Sequence, residues 1–356
     1  MTRQEWLEIG ISKGIIEIDE CEKITFYDAY LEWFRMKMTF NKRQTMDRIE
    51  VTYLKYFKDS DLDRKYISDI TDDNLILFLV KLCKCNIITY REMSRIMQIL
   101  KGVLVYMRDI GKGGARLYDW ESVKRNIPME KLDTGKKQKY AIRKDDIEKL
   151  MHEVIENEIY LEKQSSCLCL CMNFYLGLRV GELAALEFDD FDLDRGVVKV
   201  WKTESKYYNR DEDGQKIGTM VYRVVDSTKT VYSVREVPIL PEARYIYELI
   251  RKHHKEMGYD SRYLAYDGKQ TVLVRSLDRT LRRLQELLGI SKFNTHAIRK
   301  TFATSLHNSN VPTRVISDLL GHSEIGTTEN CYILSYEHAY EQYLGYMHDA
   351  LNFSLK

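Results

Sequence analysis

Six side chains in the second half of the chain, Arg179, Lys229, His296, Arg299, His322 and Tyr332, are of the types that together cut a phosphodiester. Two guanidiniums neutralise the two non-bridging oxygens of one phosphate, a lysine and a histidine move protons, and a phenol attacks phosphorus. Arginine suits the first task because its charge cannot be lost and its planar fork matches phosphate oxygens. Charge on the equatorial oxygens grows as the pentavalent transition state forms, so fixed cations stabilise that state more than the ground state. Such a site calls for no metal and no other cofactor.

The local wording is more specific than the residue types. Arg179 sits in YLGLRVGEL, His296 and Arg299 in THAIRKTFATSL, and His322 in LLGHSEIGTTENCY, with Tyr332 ten positions after His322. In this order the motifs resemble the tyrosine recombinase, or phage integrase, family over roughly residues 25 to 340. The resemblance implies a 3′-phosphotyrosyl intermediate, with Tyr332 as nucleophile, His296 as its proton-transfer partner and His322 donating a hydrogen bond to a phosphate oxygen. It also implies Lys229, in STKT before VREVP, as the general acid that protonates the departing 5′ oxygen. An exposed turn lysine with no catalytic duty fits the same position, and Lys202, Lys206 and Lys216 stand on neighbouring strands. Tyr336 is the rival to Tyr332, one helical turn onward; the family spacing after the GH pair fits Tyr332. Glu182, three residues after Arg179, either orients the basic cluster by ion pairing or forms an ordinary helix-surface pair at that spacing.

Composition bounds the rest. The 356 residues allow two or three domains, and the 31% charged and 44% hydrophobic balance is that of a soluble globular chain. No apolar run approaches the roughly 18 residues of a membrane span and no signal-like segment follows Met1, so a cytoplasmic protein is expected. Cysteines at 21, 83, 85, 167, 169, 171 and 331 form no CxxC pair, and no histidines stand at zinc-like spacing among them. CLCLCMNFYLGL reads as a helix buried on nearly all sides, with its thiols as packing. The net charge of +1 is low for a DNA-binding protein, yet residues 81–150 hold 17 Lys and Arg against nine Asp and Glu, while the first 24 residues are acidic. That segregation reads as a phosphate-facing surface with its acids placed elsewhere.

The pattern breaks give the organisation. A short segment, 1–24, precedes a helical module over 25–128, where FYDAYLEWFRMKM and REMSRIMQILKGVLVYMRDIG repeat apolar residues at three and four, and Pro128 closes it. Residues 129–141 form a polar linker, whose Lys136, Lys137 and Lys139 serve either a DNA backbone or plain solvation. The catalytic domain runs over 142–356: helices to about Leu186, three antiparallel strands from GVVKVWKTES, GTMVYRVVDSTKT and YSVREVPIL with a turn near Gly214, then helices again, with Gly321 as a C-cap glycine. The expected fold is therefore α+β and mostly helical. An N-terminal all-helical core-binding domain precedes a catalytic domain of helices with a small three-stranded sheet.

The resemblance implies double-stranded DNA carrying specific recombination sites as partner, a homotetramer in the synaptic complex, and accessory DNA-bending or excision factors. Integration and excision of a mobile element, as by conjugative-transposon integrases, is the expected role. A chromosome-dimer resolvase of the same family, a type IB topoisomerase, a regulator that kept the fold and a phosphatase-like hydrolase, the last without a metal-ligand set or a cysteine nucleophile motif, are the alternatives. In the tail, Tyr340, Leu344, Met347 and Leu351 make an apolar stripe, for docking on a neighbouring subunit or on the chain's own domain.

Overall fold

The computed structural model describes residues 23–85, 88–128, 132, 142–226, 234–268 and 273–321. Along the chain come α1 (Phe26–Met38), α2 (Arg43–Tyr56), α3 (Asp72–Cys85), α4 (Tyr90–Asp109), α5 (Trp120–Arg125), α6 (Lys144–Ile155), α7 (Gln164–Leu176) and α8 (Val180–Ala184). Strands β1 (Phe191–Asp192), β2 (Val197–Val200), β3 (Lys202–Arg210), β4 (Lys216–Asp226) and β5 (Arg235–Pro238) follow. The last described helices are α9 (Pro241–Glu256), α10 (Val274–Leu288), α11 (Thr295–Asn308) and α12 (Thr313–Leu320). Among the described residues no helix is long and apolar enough to cross a membrane. The chain divides into two compact units, residues 1–137 with 206–221, and residues 138–205 with 222–356.

In the first unit α1 and α4 each open on a capping box. Thr25 pairs with Asp28 and Thr89 with Glu92, each hydroxyl accepting from the N3 amide while the carboxylate accepts from the cap amide. Helices α1, α2 and α4 pack on one another, and a run of rings joins α1 to the end of α2. Tyr30 stacks on Tyr53 with centroids 3.7 Å apart, Tyr53 lies parallel to Phe57, and Phe57 to Phe26. The Tyr53 hydroxyl donates to the buried Asp63 carboxylate, so the polar end of that ring has its partner. Gly102 stands in the middle of α4, where glycine costs about 1 kcal/mol against alanine. Its reason is close approach: a Cβ there would sit 2.6 Å from Cζ2 of Trp33.

The tip of the β3–β4 hairpin belongs to this unit by packing, although the sequence reading set it wholly within the second domain. Arg210, 5% exposed, bonds Oδ1 of Asp47 and Oε2 of Glu50, each at 2.6 Å, and Lys216 reaches the same Glu50 oxygen at 2.9 Å. The Tyr208 amide donates to the other Asp47 oxygen. Burial pushes the Glu50 carboxyl up, but the bonds from Arg210 and Lys216 outweigh it and hold the group below its ordinary range. The turn closes through Gly214, whose φ of 83° is left-handed and whose α-carbon faces Phe34 and Met38.

The second unit is built round α7, of which every residue but Tyr175 is buried, with α6, α9, α10 and α11 packed against it. Cys167, Cys169 and Cys171 lie inside this helix, where burial pushes the Cys167 thiol up to about 12 and the other two higher still. They are packing, not nucleophiles. The small sheet is antiparallel in the order β1-β2-β5, with Val198 opposite Val237 and Val200 opposite Arg235. The three-stranded sheet thus exists, but GTMVYRVVD is not one of its strands; among the described residues it pairs with β3 alone. The physical reason is burial: β2 and β5 alternate inward and outward, whereas no residue of β4 is buried, so it offers no face to a core.

Two substitutions test the first unit. Gly102→Ala, a change that favours an isolated helix, should here lower stability by about 1–3 kcal/mol through overpacking against Trp33, read by thermal unfolding. Arg210→Ala should cost about 3 kcal/mol or more, because Asp47 and Glu50 are left as half-buried charges without their main partner.

Candidate active site

The site begins with how α7 ends. Gly177 adopts φ 61° as its C-cap, and a Cβ there would lie 2.3 Å from the Phe302 ring. The buried Asn173 amide then pins the next residue, its Oδ1 accepting from the Leu178 amide at 2.8 Å and its Nδ2 donating to the Leu178 carbonyl at 3.2 Å. This fixes the path into Arg179, which is the N-cap residue of the short α8. Glu182, one turn on, folds back to accept from both the Arg179 amide and its Nη1, each at 2.9 Å.

Glu182 is 3% exposed and is not an ordinary surface partner. A second arginine, Arg235, grips it with both terminal nitrogens: Nη2 to Oε2 at 2.8 Å and Nη1 to Oε1 at 3.3 Å. A third, Arg299, brings Nη1 to 4.0 Å from Oε2. Burial alone would raise the Glu182 carboxyl, but the Arg235 bond and the charges of Arg235 and Arg179 more than offset it, and the group is held below the usual carboxylate range.

The same three guanidiniums converge on the C-terminus of α12. Arg235 Nε donates to the Leu319 carbonyl at 2.6 Å. Arg179 donates to the Leu320 and Gly321 carbonyls at 3.3 and 3.1 Å, and Arg299 to the Leu320 carbonyl and, at 2.9 Å, to that of Gly177. The last carbonyls of a helix lack intrahelical partners and carry the negative end of its dipole, so cations there satisfy both needs. Gly321 terminates α12 in the left-handed conformation expected of it, with φ 63°.

The structure therefore brings Arg179 and Arg299 side by side, sharing one acceptor, the Leu320 carbonyl oxygen. They differ in access: the Arg179 side chain is 42% exposed and that of Arg299 3%. His296 lies one turn before Arg299 in the first turn of α11, behind the N-cap Asn294, and is exposed. Of the lysines competing with Lys229, Lys202 is buried between Glu187 and Asp190 at 2.8 and 3.0 Å, and Lys216 is held by Glu50. Lys229, His322, Tyr332 and its rival Tyr336, Lys136, Lys137, Lys139 and the apolar tail lie outside the described residues.

Sequence reasoning missed Arg235. The signal was available in VREVP: alternation puts residue 235 on the same inward face as Val237, and an arginine forced inward must find a carboxylate. Asn173 was missed as well, since an amide inside an apolar helix carries no motif of its own.

The chain belongs to the phage integrase family, whose profile matches residues 141–338. It is a tyrosine-type site-specific recombinase, an enzyme of DNA strand breakage and rejoining. Among its relatives, a tyrosine recombinase XerC-like protein of Caldanaerobacter subterraneus subsp. tengcongensis is 26% identical over 349 residues, covering 93% of this chain and 83% of that protein. Tyrosine recombinase XerA of Thermococcus kodakarensis is 30% identical over 175 residues, 48% of this chain and 51% of that protein. The fold is similar to that of the Tn1549 transposon integrase in complex with transposon right end DNA, with a TM-score of 0.65 at 18% identity over 86% of this chain and 94% of the other. A lambda integrase tetramer bound to a Holliday junction aligns with a TM-score of 0.58 at 13% identity over 87% and 78% of the two chains.

Glu182→Gln tests the electrostatic core of the site. Because the folded carboxyl is held below its unfolded value near 4.3, its contribution is present above that pH and is lost as pH falls through the lower folded value. The variant should be less stable than the parent by about 3 kcal/mol in denaturant unfolding at pH 7, and the gap should narrow as the pH is taken below about 4.

Proposed function

We propose that this recombinase cuts and rejoins duplex DNA at specific sites through a covalent 3′-phosphotyrosyl intermediate on Tyr332. The observation that supports it best is the pairing of Arg179 and Arg299 on one carbonyl oxygen, with Arg179 open to solvent. Two guanidiniums that share an oxygen acceptor are spaced to share a phosphate. In this reading they neutralise the non-bridging oxygens while the Tyr332 Oη attacks phosphorus. His296 takes the phenolic proton, Lys229 gives a proton to the departing 5′ oxygen, and His322 donates to a phosphate oxygen. The phosphotyrosine bond keeps the energy of the cut bond, so a new 5′ hydroxyl reverses the step and rejoins the strand. The linker lysines Lys136, Lys137 and Lys139 would follow the DNA backbone.

We read the biological role as integration and excision of a mobile element, by a homotetramer that pairs two duplexes. The likeness in fold to the Tn1549 transposon integrase supports this role. The XerC-like relative that spans 93% of the chain favours a second reading, resolution of chromosome dimers by the same chemistry. Synapsis assays with element ends against a single palindromic chromosomal site separate the two.

Tyr332→Phe should abolish covalent DNA attachment to a nicked site on a denaturing gel while duplex binding persists. A covalent band that survives in Tyr332→Phe, or that vanishes in Tyr336→Phe alone, overturns the assignment. Arg179→Ala should slow the same cleavage by about a hundredfold or more, as loss of a fixed transition-state donor does.

A further inference from the structure

We propose that Arg235 is a positioning residue for strand cleavage: it never touches DNA, and it sets the placement of Arg179 through Glu182 and of the chain leading to His322 through the Leu319 carbonyl. This rests on the reading of the site given above.

The geometry is that of a two-ended brace. Arg235 opens β5, where the register with β2 puts it across from Val200 and turns its side chain to the buried face. Its side chain is 6% exposed, and its bonds run to Glu182 and the Leu319 carbonyl, whereas Arg299 is the guanidinium that meets Arg179 on the Leu320 carbonyl. Three of its nitrogens are committed in two directions. Both terminal nitrogens clasp the Glu182 carboxylate, and Nε holds the carbonyl of Leu319 in the last turn of α12. Each of these partners leads to a candidate catalytic group. Glu182 bonds the amide and the guanidinium of Arg179, and α12 ends on its cap Gly321, the residue that precedes His322 in the sequence.

The bidentate clasp matters because Glu182 has to serve Arg179 without seizing it. Around this carboxylate stand Arg179 from the start of α8, Arg235 from β5 and Arg299 from α11, all cationic. With Arg235 in place the negative charge is shared, and Arg179 keeps donors for an incoming phosphate. Without it, burial would drive the carboxyl toward protonation or bind it more tightly to Arg179 and Arg299. Lysine can substitute only in part: one ammonium keeps the charge but lacks the fork that meets two carboxylate oxygens and a carbonyl at once.

The test is single-turnover cleavage of a nicked site by the full-length protein as a function of pH, alongside duplex affinity, for Arg235→Met, Arg235→Lys and Arg235→Met with Glu182→Gln. Arg235→Met should cleave about a hundredfold more slowly than the parent with unchanged affinity, as small displacements of catalytic groups do. It should also acquire a loss of rate toward acid pH as Glu182 takes up a proton, and the double variant should lack that acid limb. Arg235→Lys should recover part of the rate. If Arg235→Met does not fold, Arg235→Lys carries the test: slower cleavage at unchanged affinity supports the brace. Cleavage by Arg235→Lys at the parent rate and pH profile, or equal loss of binding and cleavage, overturns it. Tyr332→Phe run in parallel keeps the outcomes apart, since a persistent covalent band there refutes the site itself and not the brace.

Discussion

The second unit depends on one buried carboxylate. Taking the Glu182 side chain out of water is costly, and it is tolerated because two arginines saturate its oxygens and a third stands nearby. The residues that answer this demand come from β5, α11 and the turn after α7, so the ion cluster ties together elements far apart in sequence. The three guanidiniums are themselves fixed by carbonyls at the ends of α7 and α12. The rigidity of the three guanidiniums is therefore a by-product of satisfying a buried charge.

Much of the fold was legible because it rests on local rules. The helical module follows from apolar spacing, and Gly321 ends α12 where a terminating glycine was expected. The strand assignment was legible only in part. Alternation is a property of one segment, but pairing is not, and GTMVYRVVD alternates well enough to look like a central strand while finding no core to face. Charge complementarity across 160 residues, which ties Arg210 to Glu50, has no local trace at all.

The candidate site shows the same division. Arg179, His296 and Arg299 announce themselves through neighbours in short motifs, and Glu182 through its spacing from Arg179. Arg235 and Asn173 do their positioning from the interior, where the surrounding sequence matches no catalytic motif. What selects an arginine there is the geometry of its partners, and partners are known only once the chain is folded. The lysines make the converse point: Lys202 looks as eligible as Lys229 on the page, and its two carboxylate partners take it out of contention.

The hairpin has a consequence for any attempt to take the protein apart. A cut at the linker, the natural place to divide it by sequence, assigns residues 206–221 to the wrong half. A fragment starting near Ile142 would carry Arg210 and Gly214 away from Asp47, Glu50 and Phe34, while one ending at 137 would uncover Phe34 and Met38 and strand two carboxylates beneath the missing strands. Each piece would then be soluble only to the extent that it tolerates its torn surface. Modular in the order of its residues, the chain is interlaced in the packing of its first unit, and a faithful dissection of that unit has to carry the hairpin with it.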